Sequence, residues 1–424
     1  MKTIEKKYLI PFCLITSLFF LWGLANNMTD TLLAAFKKIM SMTDTQTSLI
    51  QTAFYGAYFC FALPAAMFIR RYSYKTGVLL GLLLYAGGAM LFFPASKVAS
   101  YAFYLVAIYV LAGGCSILET AANPYIMSMG TQETATRRLN IAQSLNPIGC
   151  ITGILLSKYF ILSELNSANA ADREAMTDID LKVVQQHELD AVTGTYMAVG
   201  FVLLALMVIV FLVKMPEGGD NSKDSVKAAF ARLFQIKKYT RGVVALFFYE
   251  GAQVGVWSYS IRLAMKELNI NEECASTYYL LGIVCFCLAR FLFTWLMKWH
   301  RPSKLLKWAA AASLVPCLGV ILTSGTGMPC IVALTGISFF MSLMFPTIYG
   351  LALEDVGKDS KIGASGLIMA ILGAALLTPL QGIVSDTVGI NLSFIVPTIS
   401  LAIVLAYAWA VETGKFAKAI SKEK

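Results

Sequence analysis

Three carboxylates stand inside stretches otherwise too apolar to hydrate them: Asp30 in FFLWGLANNMTD, Glu119 in GGCSILETAANP and Glu250 in FYEGAQVGVWSY. An ionisable group at helix-centre depth in a bilayer costs about 2.5–3.5 kcal/mol on insertion scales, so each needs a reason to be there. Their neighbours supply one. On a helix Trp22, Asn26 and Asp30 fall within about 80° of one another, with Asn27 about 60° further round. Ser116, Glu119 and Asn123 share a second face, with Thr120 beside it. In RRLNIAQSLNPIG, Asn140, Gln143 and Asn146 recur at i, i+3 and i+6. Tyr249, Gln253 and Trp257 lie within about 80°, and Glu250 falls inside the same arc of about 100°. A single buried amide is most simply a bond from helix to helix. Four polar stripes, two of them bearing acids at similar depth, imply instead a wet central cavity. Amides and carboxylates offer donors and acceptors to hydroxyl groups, while aromatic faces cover the apolar C–H side of a pyranose ring. The residues expected to contact such a ligand are Trp22, Asn26, Asn27, Glu119, Gln143, Asn146, Glu250, Gln253 and Trp257.

Carboxyl groups shielded from water are more easily neutral than carboxyl groups in solvent. Asp30 and Glu119 are therefore the candidates to load and release a proton. The two histidines, His187 and His300, both fall in loops, so a histidine relay across a membrane is not expected. Sodium is the alternative coupling ion, because carboxylate and amide oxygens also ligate it; without a dense oxygen cluster the proton is favoured. No cofactor or metal site is expected. Neither a metal-ligand cluster, a nucleotide loop nor a nucleophile–histidine pair is visible, which argues against an enzyme.

The elements that hold these residues follow from composition. Of 424 residues, 58% are hydrophobic and 14% charged, against roughly 25% charged in soluble domains. Runs such as Val78 to Phe93 are continuous rather than alternating, and in hydrocarbon only a helix satisfies their backbone internally. About 20 apolar residues cross a bilayer core. Twelve spans are expected, near 8–36, 46–69, 76–94, 99–129, 138–162, 193–215, 239–267, 274–298, 303–324, 328–354, 362–388 and 391–412. The predicted class is an all-α membrane protein of twelve transmembrane helices in two pseudo-symmetric six-helix bundles.

The net charge of +9 is topological rather than a sign of nucleic acid. With these spans, 25 of the 34 lysines and arginines lie towards one end of the bundle, 8 lie towards the other, and Arg290 sits within the eighth span. That asymmetry places both termini in the cytoplasm of a multi-pass protein of a bacterial inner membrane, with the lipid bilayer as its partner. Eight of the nine cysteines fall in or at the ends of apolar spans and read as small buried hydrophobes. The N-terminus reads as an uncleaved first span, since the apolar stretch runs on into Asp30.

A polar, basic stretch at 216–238 follows the sixth span, giving an N-terminal bundle (1–215), a cytoplasmic linker (216–238) and a C-terminal bundle with a short tail (239–424). The fourth and tenth spans carry Pro-aromatic elements in corresponding places (ANPYIMSMG and MFPTIYGLALEDVG), as inverted or parallel repeats do in secondary transporters. The acidic stretch from Ser163 to Val192 reads as a solvated flap or short surface helix. Gly149-x-x-x-Gly153 and Gly251-x-x-x-Gly255 are spacings that let helices approach closely. Arg290 is expected to snorkel or meet a loop, Glu354 and Asp355 to join a surface cluster with Lys358, and Asp386 to cap a helix or make a gate contact.

FLWGLANNMTD, ILETAANP, RLNIAQSLNPIG, GAQVGVWSY and LARFLFTWL resemble the fucose/galactose/glucose:proton symporters, on their L-fucose branch, within the major facilitator superfamily. The likeness runs from about Phe19 to the last span. It implies the major facilitator fold and proton-coupled uptake of L-fucose or a related monosaccharide by alternating access of the two halves. It also implies that Asp30 is the coupling aspartate, that Glu119 contacts sugar and takes part in coupling, and that Asn27, Gln143 and Asn146 are polar partners of the sugar. Glu250 stands where the resemblance leads one to expect an uncharged residue. The expected unit is a monomer. Competing readings are a glucose/galactose transporter of the same family and a membrane sugar sensor without net transport.

Overall fold

The computed structural model describes residues 6–40, 42, 44–166, 173, 175–216 and 225–415; the side chains of 6, 30, 31, 33, 34, 37, 44–48, 178, 272 and 273 stand outside that description. Among the described residues there are helices and no strands. Eleven stretches are long and apolar enough to cross a membrane. The helix Lys237–Leu268, at 32 residues, is long enough but too polar to join them. It is the seventh span, and Glu250, Gln253, Ser258 and Arg262 along it line a cavity, which is where a membrane helix tolerates such groups.

In the first half the spans are Leu9–Ile39, Asp44–Arg71, Tyr74–Met90 continued by Phe92–Val98, Tyr101–Ser128, Ala135–Gln143 continued by Asn146–Phe160, and Asp178–Leu212. In the second they are Lys237–Leu268, Glu272–Leu296, Pro302–Leu322, Met328–Met341 with Met344–Leu353, Ser360–Met369 with Leu372–Val388, and Ile390–Ser393 with Ile395–Glu412. Most predicted boundaries lie within a few residues of these. The sixth does not. Its helix begins at Asp178 instead of 193, so the latter part of the expected flap is ordered helix, and Glu188 is buried there against Arg173 at 3.0 Å (Nη1 to Oε2). An acidic composition had suggested solvent; the buried partner removes that need.

Corresponding helices pack in the same way in each half: first on fifth, seventh on eleventh. The contact is backbone to backbone. A Cβ at Gly149 would fall on the carbonyl oxygen of Phe20, and one at Gly373 on the carbonyl oxygen of Phe247. Gly153 likewise meets the Leu24 carbonyl, while Gly251 and Gly255 meet the side chains of Leu377 and Gln381. Both small-residue spacings thus mark close helix crossings. Gly149→Val should lower the melting temperature in detergent, since overpacking a tight contact costs about 1–3 kcal/mol. Gly56→Ala, whose Cβ meets nothing, should leave it unchanged, and equal melting of the two variants would refute the packing account.

The basic end is tied together by specific bonds. Arg138 is fully buried and donates to the carbonyls of Ile126 (3.3 Å), Met127 (2.5 Å) and Thr131 (3.0 Å), joining the start of the fifth span to the end of the fourth. In the linker, the helix Val226–Gln235 is held by Arg232, which donates twice to Asp359 at 2.7 Å. Lys238 pairs with Glu354 at 2.7 Å and Asp355 at 2.9 Å, so the predicted cluster exists with a cation from the seventh span.

Candidate functional site

Between the halves lies a cavity of about 670 Å³. The first half lines it with Asn26, Asn27, Tyr58, Glu119, Gln143 and Asn146; the second half adds Glu250, Gln253, Trp257, Arg290, Phe345 and Thr378. Eight of the nine residues predicted to contact a ligand therefore share one wall-to-wall space. Trp22 does not. It is buried behind that wall, its ring 5.0 Å from Phe19. Helical projection placed it on the Asn26 face, but it sits a turn deeper, where neighbouring helices close over it.

The proposed polar stripes divide in the same manner. Glu119 is partly exposed, to the cavity, whereas Ser116, Thr120 and Asn123 are fully buried in the wall. Ser116 donates to the Tyr58 carbonyl at 3.0 Å, and Thr120 to that of Ser116 at 2.8 Å. Asn123 accepts from the Gln143 side-chain amide at 2.9 Å, holding that group in place beside the cavity. Asn140 faces away from the ligand space and donates to Thr347 of the other half at 3.2 Å. Asp30 lies in the first helix; its side chain is outside the described residues.

The fifth span is broken at Ser144–Leu145, and the cause is in the sequence. Pro147 has no amide proton to return to the carbonyl of Gln143, four residues earlier, so that carbonyl is left without its helical donor. Arg290 of the eighth span fills the gap, donating from Nη1 to the Gln143 oxygen at 3.2 Å. Arg290 is thus a buried cavity residue, 2% exposed, with Phe286 under its guanidinium at 4.9 Å; it does not snorkel. Its Nε, the Trp257 Nε1 and the Thr378 Oγ1 are buried donors without a protein partner, and all three side chains line the cavity. Buried donors need acceptors. Arg290, expected to snorkel or meet a loop, and Thr378, not singled out from the sequence, join the site in the folded protein. An arginine inside an apolar span was the available signal for the first, and Thr378 carries none.

Arg290 also supplies a positive charge that acts on Glu250, and Glu250 acts on Glu119 across the space. The cavity accordingly holds two facing carboxylates and one cation at its floor.

Below that floor the halves meet at the basic end. Besides the Arg290 and Asn140 bonds, Ser144 and Thr294 hydroxyls lie 3.4 Å apart and Gln132 donates to the Glu354 carbonyl at 2.8 Å. Lys361 covers the ring of Tyr74 at 5.1 Å. At the opposite end Ser258 and Arg262 line the cavity and are exposed, as is Asn26 further in, so the space opens that way. The arrangement is a solvent-open cup whose base is closed by contacts between two separately packed halves.

Residues 15–371 match the model of the Major Facilitator Superfamily. The chain is 41% identical to the L-fucose-proton symporter of Haemophilus influenzae (97% of this chain, 99% of that one) and 37% identical to the L-fucose-proton symporter of Escherichia coli (95% and 93%). It is 31% identical to a glucose/galactose transporter of Brucella abortus (95% and 94%). Among solved structures, that of FucP, a Major Facilitator Superfamily transporter in the outward conformation, superposes with a TM-score of 0.88 at 35% identity (95% and 99%). With two six-helix halves, a cavity between them and likeness over nearly its whole length, the chain belongs to the major facilitator superfamily, in the family of these sugar transporters.

Proposed function

We propose that the chain is a transporter rather than an enzyme, taking up L-fucose with a proton by alternating access. The observation that carries this reading is the cup itself: carboxylates, amides and an indole at mid-depth, open at one end and closed at the other by bonds between the halves. A monosaccharide satisfies its orphan donors, because hydroxyl and ring oxygens accept from Arg290, Trp257 and Thr378 while Glu119 and the amides accept the sugar's own protons. The names of the relatives over 35% identical supply the sugar. The halves 1–215 and 239–424 rock about the fixed site, with the linker 216–238 and both termini in the cytoplasm of a bacterial inner membrane and the monomer as working unit. In this reading Asp30 and Glu119 carry the proton, and no cofactor takes part.

Asp30 loads the proton that commits the carrier to turn over. Asp30→Asn should reduce uphill accumulation of L-fucose to the background of empty vesicles while leaving counterflow exchange measurable. Accumulation at the wild-type level would remove Asp30 from coupling. The direct test is sugar-dependent alkalinisation outside lightly buffered cells, with L-fucose, D-galactose and D-glucose in parallel. Alkalinisation with L-fucose alone is expected. A response only to galactose or glucose would favour the second reading, which rests on the 31% identical glucose/galactose transporter.

A further inference from the structure

We propose that a groove between the start of the first span and the end of the sixth binds the headgroup of an anionic phospholipid. The groove measures about 520 Å³ and is lined by Lys7, Tyr8, Pro11, Lys214, Met215 and Pro216 among others. Among the described residues that line it there is no carboxylate. Lys7 and Lys214 line it and are exposed, Lys7 lying 4.7 Å over the ring of Tyr8.

Three further features fit a phosphate-bearing lipid. The first α-helix begins at Leu9, after a three-ten turn over Lys6–Tyr8 and with no side-chain cap, so the positive end of its dipole lies beside the groove. The sixth helix ends here, and its negative end would repel an anion, but Lys75 donates to the carbonyls of Phe211 and Val213 at 2.8 Å each and offsets that charge. Immediately on the membrane side, Leu9, Ile10, Phe211 and Leu212 are 51%, 64%, 65% and 73% exposed, an apolar strip for acyl chains continuous with the basic groove. A free phosphate would use the lysines alone; a phospholipid uses both. The groove also sits at the most basic end of the bundle, where anionic headgroups are attracted by about 1 kcal/mol per lysine or arginine.

Occupancy has a structural route to the closed base of the cup. Pro216, in the groove wall, accepts from the Tyr125 hydroxyl at 2.6 Å. Tyr125 stacks on Tyr74 with centroids 5.1 Å apart, and Tyr74 is the ring covered by Lys361 of the other half. A bound headgroup therefore braces the contact that keeps the basic end shut.

The experiment is native mass spectrometry of the full chain in detergent, titrated with phosphatidylglycerol or phosphatidylcholine. Wild type should retain phosphatidylglycerol in preference to phosphatidylcholine. K7Q/K214Q should lose that preference by roughly tenfold or more. K298Q/K304Q, which removes two exposed lysines around the turn between the eighth and ninth spans, should keep it. Equal retention of the two lipids by wild type, undiminished retention by K7Q/K214Q, or an equal loss in K298Q/K304Q would each overturn the site.

Discussion

Alanine at Glu119 is expected to weaken sugar binding itself, and not merely its coupling to protons. Glu119 is the carboxylate that the first half presents to the cavity among its described side chains, and the residues around it are already committed: Ser116 and Thr120 to backbone carbonyls, Asn123 to Gln143. A hydrogen bond to a charged group contributes about 1.5–3 kcal/mol, so affinity should fall by roughly tenfold to a hundredfold. Trp257 lines the same space, and its fluorescence change on L-fucose titration provides the measurement. Glu119→Gln keeps a hydrogen-bonding group without the charge and should bind sugar while losing uphill transport. Wild-type affinity in Glu119→Ala would place the sugar elsewhere.

The second large effect is expected at Arg290. Alanine there leaves the Gln143 carbonyl, already deprived of its helical donor by Pro147, with no partner at all. It also strips Glu250 of the cation that acts on it. A buried polar group left without its partner costs about 1–3 kcal/mol. Arg290→Ala should lower the melting temperature and bring transport to background. Glu250→Gln added to Arg290→Ala should recover part of the lost stability, since an amide there needs no facing cation. A double variant that melts below Arg290→Ala would show that the two residues do not compensate one another. Arg290→Lys keeps the charge but not the reach of the guanidinium to both the carbonyl and the cavity, so it should fold better than it transports.

The class of the protein and most of its site follow from the chain alone, because a bilayer imposes simple demands on a sequence. Apolar runs must be helices, basic residues must collect at one end, and every acid at helix-centre depth must have a purpose. Those demands made Glu119, Glu250, Asn26, Asn27, Gln143, Asn146 and Gln253 legible, and the structure gathers them around one cavity. They also marked Gly149 and Gly251 as points of close approach.

Tertiary structure decided the rest. Helical projection gives each residue a direction but not a depth, and so could not separate Asn26, exposed in the cavity, from Trp22, sealed one turn below it. Nor could periodicity foresee that the fifth span breaks at Ser144–Leu145, which makes Asn140 a bridge between halves while Gln143 and Asn146 face the ligand space. Arg290 shows the limit most clearly. Its cost in an apolar span was evident, but its role depends on a carbonyl 147 positions away that Pro147 had left unpaired. Local sequence fixes which groups need partners; which partner arrives is settled only when distant helices pack.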